Sequence, residues 1–298
     1  MPISGRLHLL EALPGPLERG LEALCRQLDG FAQVVVAYSG GVDSALVAAL
    51  AGDRLGERAL AITGVSPALA PHLRREASDQ ARWLGLRHLE LATAELADPT
   101  YTSNPEERCY ACKRELHGLL AVVAAEAGGA RVLDGVNVDD LGDHRPGIQA
   151  AIERGVASPL AELGIDKAAV RQISRALGFP WWDKPAQPCL ASRFPYGEPI
   201  SAGRLARVAA AEAWLRQRGI RELRVRSQGE TARIEVPAED LDRVLRSLPR
   251  QELVAAFRQL GFTAVSLDLE GLVSGKLNRQ ATQKSPTEES SGRGWGAG

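Results

Sequence analysis

The sequence predicts an α/β protein, a doubly wound parallel sheet followed by a smaller C-terminal α+β domain. Three observations predict it. Apolar, β-branched runs alternate with helical periodicity from residue 33 to residue 135, the pattern of parallel strands joined by crossover helices. A Gly-Gly turn stands where the first run meets the first of those helices. Beyond residue 200 the order changes to a helix, two alternating strands, two helices and a last strand, which is the order of an α+β unit.

Taken in order, residues 8–30 read as one amphipathic helix interrupted near Pro14 and Pro16. Gln33–Tyr38 (QVVVAY) is a strand apolar on both faces. A helix over Asp43–Ala51, a strand over Ala59–Val65 and a helix over Leu73–Leu84 follow, the last ending at Gly85. His88–Ala92 is a strand. Cys109–Ala127 is a helix stopped by Gly128-Gly129, and Arg131–Gly135 is the fourth strand. Residues 156–199 are broken by prolines and read as a long, ordered connection with little regular structure. The second unit has a helix over Ser201–Arg218 and a hairpin of Glu222–Arg226 and Thr231–Val236 turning at 227–230. Helices over Asp240–Leu248 and Gln251–Leu260 and a strand over Ala264–Leu269 complete it. The expected division is a nucleotide domain over 1–195, an α+β domain over 196–279 and a polar, disordered tail over 280–298.

Composition bounds the function. With 45% hydrophobic and 24% charged residues in 298, the chain is an ordinary globular protein of one or two domains. The net charge of −1 gives no basic surface for nucleic acid or an anionic membrane. No apolar run approaches the ~18 residues of a membrane span, and the N-terminus lacks a secretory pattern, so a cytoplasmic protein is expected. Cys25, Cys109, Cys112 and Cys189 are too few for a disulfide scaffold and point to catalysis or metal.

Ser39-Gly40-Gly41-Val42-Asp43-Ser44 is the firmest site. Two glycines let the backbone turn tightly, and the amides at a helix N-terminus can receive phosphate oxygens. Ser39 and Ser44 add hydroxyls, and Asp43 is placed to hold a Mg²⁺ that bridges phosphates. The lysine-bearing loop of kinase-type NTPases is absent. A plain Gly-Gly turn with a Ser or Asp cap is the alternative. Asp139, Asp140 and Asp143 follow the fourth strand at the ligand rim of such a sheet, and Arg145 could reach a phosphate there; a capped turn is the alternative. Cys189 lies near Lys184 and beside Arg193, cations able to favour its thiolate; an inert buried cysteine is the alternative. Cys109 and Cys112 share a helix face and, with Cys189, make a three-thiolate set suited to a cluster with one open iron; two structural cysteines are the alternative. Arg224 and Arg226 share one strand face, an arrangement suited to a phosphate or carboxylate.

SGGVDS, NPEERCYACK (104–113), GVNVDDLGDHRPG (135–147), SPLAELGIDK (158–167) and KPAQPCLASRFPYG (184–197) together resemble the LarE-type sulfur transferases of the PP-loop ATP pyrophosphatase superfamily. RVRSQGETARIEVP (224–237) and LDLEGLVSGKLN (267–278) extend the likeness over about residues 8–279. The resemblance implies the PP-loop fold and an ATP-dependent, AMP- and pyrophosphate-forming reaction. A carboxylate of pyridinium-3,5-biscarboxylic acid mononucleotide would be adenylated and converted to a thiocarboxylate for the nickel-pincer cofactor of lactate racemase. Cys189 would attack the acyl carbon and surrender its sulfur, becoming dehydroalanine. Other members of the family look like cluster-dependent thiolases, in which Cys109, Cys112 and Cys189 would instead hold a [4Fe-4S] cluster that carries sulfide. Both sulfur sources stay open at this point. The site implied comprises Ser39–Ser44, Asp139 and Arg193 toward ATP, and Ser192, Arg224, Arg226 and Arg145 toward substrate, the arginines gripping its phosphate. Glu212 and Glu235 match acidic positions that bind a metal or shape the site. Implied partners are a homo-oligomer, dimer or hexamer, and the carboxylase and nickel-insertion enzymes of the same pathway. The sequence departs from the family at Gly271–Lys276, where a tyrosine and an arginine are missing, which puts any role of that stretch in doubt. The competing functions are a PP-loop tRNA thiolase, which needs the basic surface the composition lacks, and an ammonia-using synthetase, which needs no cysteine.

Overall fold

A computed structural model describes residues 7–142, 146–273, 275, 276 and 279. The described chain divides into two compact units. The first holds the residues up to Ala191 together with Ile200–Ala206, and the second holds Ser192–Pro199 and the residues from Arg207 onward. The expected boundary at 195/196 falls inside the Ser192–Pro199 segment; the expected tail over 280–298 lies outside the described residues. Among the described residues no helix is long and apolar enough to cross a membrane.

In the first unit, β1 (Val34–Ala37), β2 (Ala59–Val65), β3 (His88–Ala92) and β4 (Arg131–Leu133) form a parallel sheet in the order β3-β2-β1-β4. Helix α1 (Gly15–Asp29) precedes them, and between them run α2 (Val42–Leu55), α3 (Pro71–Trp83), the single turn α4 (Pro99–Thr102) and α5 (Arg108–Glu126). All four residues of β1 are buried. Its two-residue period sends Val34 and Val36 into a core with Leu21, Leu24 and Leu28 of α1 and with α2. Val35 and Ala37 pack on the other face against Ile62 and, from α5, Leu120 and Ala124. The sheet is therefore covered on both faces, as the unbroken apolar run of β1 requires. The expected 8–30 helix begins only at Gly15, because Pro14 takes the N-cap position with an extended backbone.

After β4 the chain forms α6 (Val138–Leu141), α7 (Pro146–Glu153), α8 (Pro159–Glu162) and α9 (Lys167–Ala176). The last two correct the expectation of an irregular connection over 156–199. Asp166 caps α9 by accepting from the Ala169 amide at 2.7 Å, and Val170, Ile173 and Ala176 turn one face into the core. The surrounding prolines masked that ten-residue period.

In the second unit, β5 (Arg224–Gln228) pairs antiparallel with β6 (Thr231–Glu235), which pairs in parallel with β7 (Ala264–Leu267). The hairpin turns at Gly229-Glu230, tighter than the four residues expected, with Gly229 at φ 55°. Helices α10 (Ala202–Gln217), from Arg207 onward, α11 (Leu241–Ser247) and α12 (Arg250–Gln259) also belong to this unit, in which Phe257 and Phe262 are fully buried.

Candidate functional site

The turn between β1 and α2 is built from its glycines and serines. Gly40 takes φ 68°, and a Cβ there would lie 2.9 Å from the Cα of Ala77 on α3, so the turn needs a residue without a side chain. The Ser39 and Ser44 hydroxyls are 3.0 Å apart, Ser44 Oγ accepts from the Ser39 amide at 3.2 Å, and Ser39 Oγ accepts from the Gly41 amide at 3.3 Å. The two serines thus close the turn and hold it open-ended toward the N-terminus of α2, where amides point outward and the helix dipole favours an anion. Val42 is buried beneath it.

Asp43, in the first turn of α2, accepts from Asn137 Nδ2 at 3.2 Å and pairs with the Lys167 ammonium. Lys167 opens α9, and its amide donates to Asp139 Oδ2 at 2.9 Å. Asp139, expected at the nucleotide, is engaged here in tying β4's following loop to α9. Asn137 and Asp140 form a reciprocal capping box on α6. Asp143 and Arg145 lie outside the described residues.

Gly135 joins this loop to the phosphate turn. A Cβ on it would stand 2.6 Å from the Ser44 amide nitrogen and 2.8 Å from the Ser44 Cα. Those are backbone atoms that cannot swing aside, so Gly135→Ala is expected to cost about 1–3 kcal/mol and to weaken ATP binding. Gly20→Ala in α1 is the control, since a Cβ there meets nothing within 4 Å. Thermal unfolding and nucleotide titration of both variants check this; equal behaviour of the two would refute it.

The sulfur residues also lie in the first unit. Cys189 is exposed, and its segment is fixed at Leu190, whose amide donates to the Ala68 carbonyl at 2.8 Å. Lys184 donates to the Gly40 carbonyl at 3.2 Å and pairs with Glu76 at 2.7 Å. Cys109 and Cys112 open α5, the first exposed and the second largely covered. Burial pushes the Cys112 thiol up to about 12, with smaller contributions from Cys189 and Glu95. The Tyr101 phenol is raised in the same way, by burial first and then by Cys189. Cys112 thus feels the charge of Cys189 and, more weakly, of Cys109. Among the described residues, however, no three His, Cys, Asp or Glu side chains converge as a metal site, so the donors as placed do not fit a [4Fe-4S] cluster. His117, on α5, is pushed down to about 3 by burial and by Lys113 and Arg154 and is a neutral ring.

The second unit holds the other expected residues. Arg193 pairs with Glu212 at 2.7 Å and donates to Ser192 Oγ at 2.9 Å. Glu212 also accepts from the Val225 amide at 3.1 Å. Arg226 pairs with Glu235 at 2.9 Å and donates to the Ser192 carbonyl at 2.6 Å. Glu212 and Glu235, read from the family likeness as metal or site-shaping positions, carry buried ion pairs to these arginines. Arg224 is half-buried with no ion pair or hydrogen bond among the described residues, and burial, then Arg226 and Arg193, disfavour its charged form. An arriving anion would reverse that.

Sequence reasoning missed Lys167 and assigned no contact to Lys184. The basic residue three positions past the SPLAELG run was the only local signal for the first, and Lys184 carried none beyond its nearness to Cys189.

The sequence is similar to those of several known proteins. The sequence profile of the NAD synthase family matches residues 19–101, the span from α1 through the phosphate turn to α4. An uncharacterized protein of Synechocystis sp. is 54% identical over 90% of this chain and 100% of its own length. The pyridinium-3,5-bisthiocarboxylic acid mononucleotide synthase of Lactiplantibacillus plantarum is 35% identical over 87% of this chain and 94% of its own. An uncharacterized protein of Methanocaldococcus jannaschii is 29% identical over 80% of this chain and 90% of its own.

Proposed function

Because the chain belongs to the LarE-type family of PP-loop proteins, we propose that it is an ATP-dependent sulfur transferase that acts on pyridinium-3,5-biscarboxylic acid mononucleotide in the biosynthesis of a nickel-pincer cofactor. The observation that carries this is the exposed Cys189 on a segment whose Lys184 reaches the Gly40 carbonyl of the phosphate turn. A sulfur nucleophile next to an ATP-splitting turn is what an acyl-adenylate thiolation needs.

The chemistry follows in three steps. A carboxylate oxygen of the substrate attacks the α-phosphorus of ATP, and pyrophosphate leaves. The amides of Gly40–Asp43 and the N-terminus of α2 receive its charge; Asp43 would hold the Mg²⁺ that shields it, and Lys167, paired with Asp43 in the structure, would turn to the phosphates. Cys189 Sγ, its proton lost to solvent, then attacks the acyl carbon and expels AMP, leaving a thioester. Removal of the Cys189 Cα proton breaks the Cβ–S bond, the electron pair goes to sulfur, and thiocarboxylate departs from a dehydroalanine.

Lys167→Met is expected to lower pyrophosphate release about 100-fold, the scale of one lost charge-stabilising donor, with Lys167→Arg keeping part of it. Release unchanged in the methionine variant would remove Lys167 from the reaction. The test of the whole reading is intact-protein mass spectrometry after anaerobic incubation with Mg-ATP and the biscarboxylate mononucleotide. Conversion of Cys189 to dehydroalanine, with one thiocarboxylate formed per chain, is the expected result. Multiple turnovers with an unchanged protein mass and bound iron and sulfide would overturn it in favour of the cluster. Salt-sensitive retention of the protein on RNA would favour a tRNA thiolase, which the net charge of −1 does not support.

A further inference from the structure

We propose that Lys184 is a positioning residue that couples the Cys189 segment to nucleotide in the phosphate turn, an inference that rests on the reading of Cys189 as the sulfur that meets the activated acid. The observation is a shared platform. Helix α3 and the loop before it touch both partners. Gly40 of the turn seats against Ala77 of α3, where a Cβ would lie 2.9 Å from the Ala77 backbone. One residue earlier, Glu76 pairs with Lys184 at 2.7 Å. Lys184 itself donates to the Gly40 carbonyl at 3.2 Å. At its far end the segment is held by the Leu190 amide on the Ala68 carbonyl at 2.8 Å, in the loop that leads into α3. Tyr38, at the end of β1, adds a hydroxyl bond to the Ala77 carbonyl at 3.2 Å.

The segment between these anchors is stiff. Pro185 and Pro188 fix their own φ angles and offer no amide. A stiff stretch held at two ends moves as one piece, so the position of Cys189 follows that of its anchors. The Lys184 side chain is 14% exposed, against 46% for Glu76. The ammonium is therefore the enclosed member of the pair, held between the carboxylate and the turn's carbonyl, and any shift of Gly40 as phosphates settle on the turn is passed to it directly. A generic surface ion pair would not do this, because its partners are free to reorient in water.

The alternative is that Lys184 merely decorates the surface of α3. Two variants and two readouts separate the ideas. Lys184→Met removes the ammonium and keeps the stem; Lys184→Arg keeps a donor. The first readout is the rate of N-ethylmaleimide alkylation at Cys189, followed on its own peptide, with and without Mg²⁺ and α,β-methylene-ATP. We expect the analogue to change the wild-type rate about threefold or more, as a ligand that favours one arrangement of the segment would. The response is lost in Lys184→Met and retained at least in part in Lys184→Arg. The second readout is the ratio of thiocarboxylate formed to pyrophosphate released in one turnover. That ratio is expected to fall about tenfold or more in Lys184→Met, the scale of a misplaced reacting group. A nucleotide response equal in Lys184→Met and wild type, or an absent response in the wild type, overturns the proposal. So does an equal loss of both half-reactions in Lys184→Met, which is what simple destabilisation gives. If wild-type Cys189 keeps its sulfur through turnover, the donor reading fails, while the alkylation comparison still decides the role of Lys184.

Discussion

Cys189→Ala is expected to form no thiocarboxylate while still releasing pyrophosphate. The reason is chemical as much as structural. In the proposed sequence the adenylation step uses the turn at Ser39–Ser44 and Lys167. The sulfur enters only after AMP is in place as leaving group. Removing it deletes a reactant, so the loss of thiolated product exceeds about 1000-fold, beyond what removal of a single assisting group brings. Cys189→Ser makes the point more sharply, because a hydroxyl can still form an ester yet has no sulfur to leave behind. The measurement is single-turnover product analysis beside pyrophosphate release. Thiocarboxylate from the alanine variant at the wild-type level would end the role of Cys189. Cys112→Ala is the companion: burial holds that thiol neutral, so it is a poor nucleophile, and its loss is expected to leave adenylation intact.

The largest effect on stability is expected at Glu235. Its carboxylate is fully buried, accepts from Arg226 Nε at 2.9 Å and from Arg233 Nη2 at 3.1 Å, and sits opposite Arg224 in the hairpin register. Arg226 is itself only 4% exposed. Replacing Glu235 by alanine leaves that guanidinium without its counter-charge in a low-dielectric interior, and the cost is about 3–5 kcal/mol of unfolding free energy. Glu235→Gln keeps one accepting oxygen and is expected to lose less, about 1–3 kcal/mol. Urea unfolding of the three proteins measures the difference, with the midpoint moving and the slope unchanged if only the native state is affected. A loss below about 1 kcal/mol in Glu235→Ala would mean the charge reaches water, and the buried-pair account would be wrong. With Arg226 paired to Glu235 and Arg193 to Glu212, Arg224 makes no ion pair or hydrogen bond among the described residues, although it feels the charge of both carboxylates.

What the sequence determined by itself was local. A β-branched run of period two is a strand wherever it is buried, so β1 was legible from VVVA, and its burial on both faces demanded the helices that cover it. The shape of the Gly-Gly turn between a strand and a helix was legible too, because φ 68° at Gly40 and the free amides of a helix N-terminus are properties of a few adjacent residues. The β5–β6 hairpin announced itself through alternation and Gly229. Even α9, missed among prolines, carried its own marks in Asp166 and the Val170–Ile173 spacing. Only the tertiary structure decided the partners of the charges. Lys167 meets Asp43 across 124 residues, Lys184 meets Gly40 across 144, and Asn137 meets Asp43 across 94. No period or spacing encodes such pairs, since the chain between them can be any length that the crossovers allow. Glu212 and Glu235, which the family likeness marks as positions that bind a metal or shape the site, pair with Arg193 and Arg226 for the same reason. A buried carboxylate takes whichever cation the fold brings within reach, because leaving either charge alone in the interior costs more than pairing them.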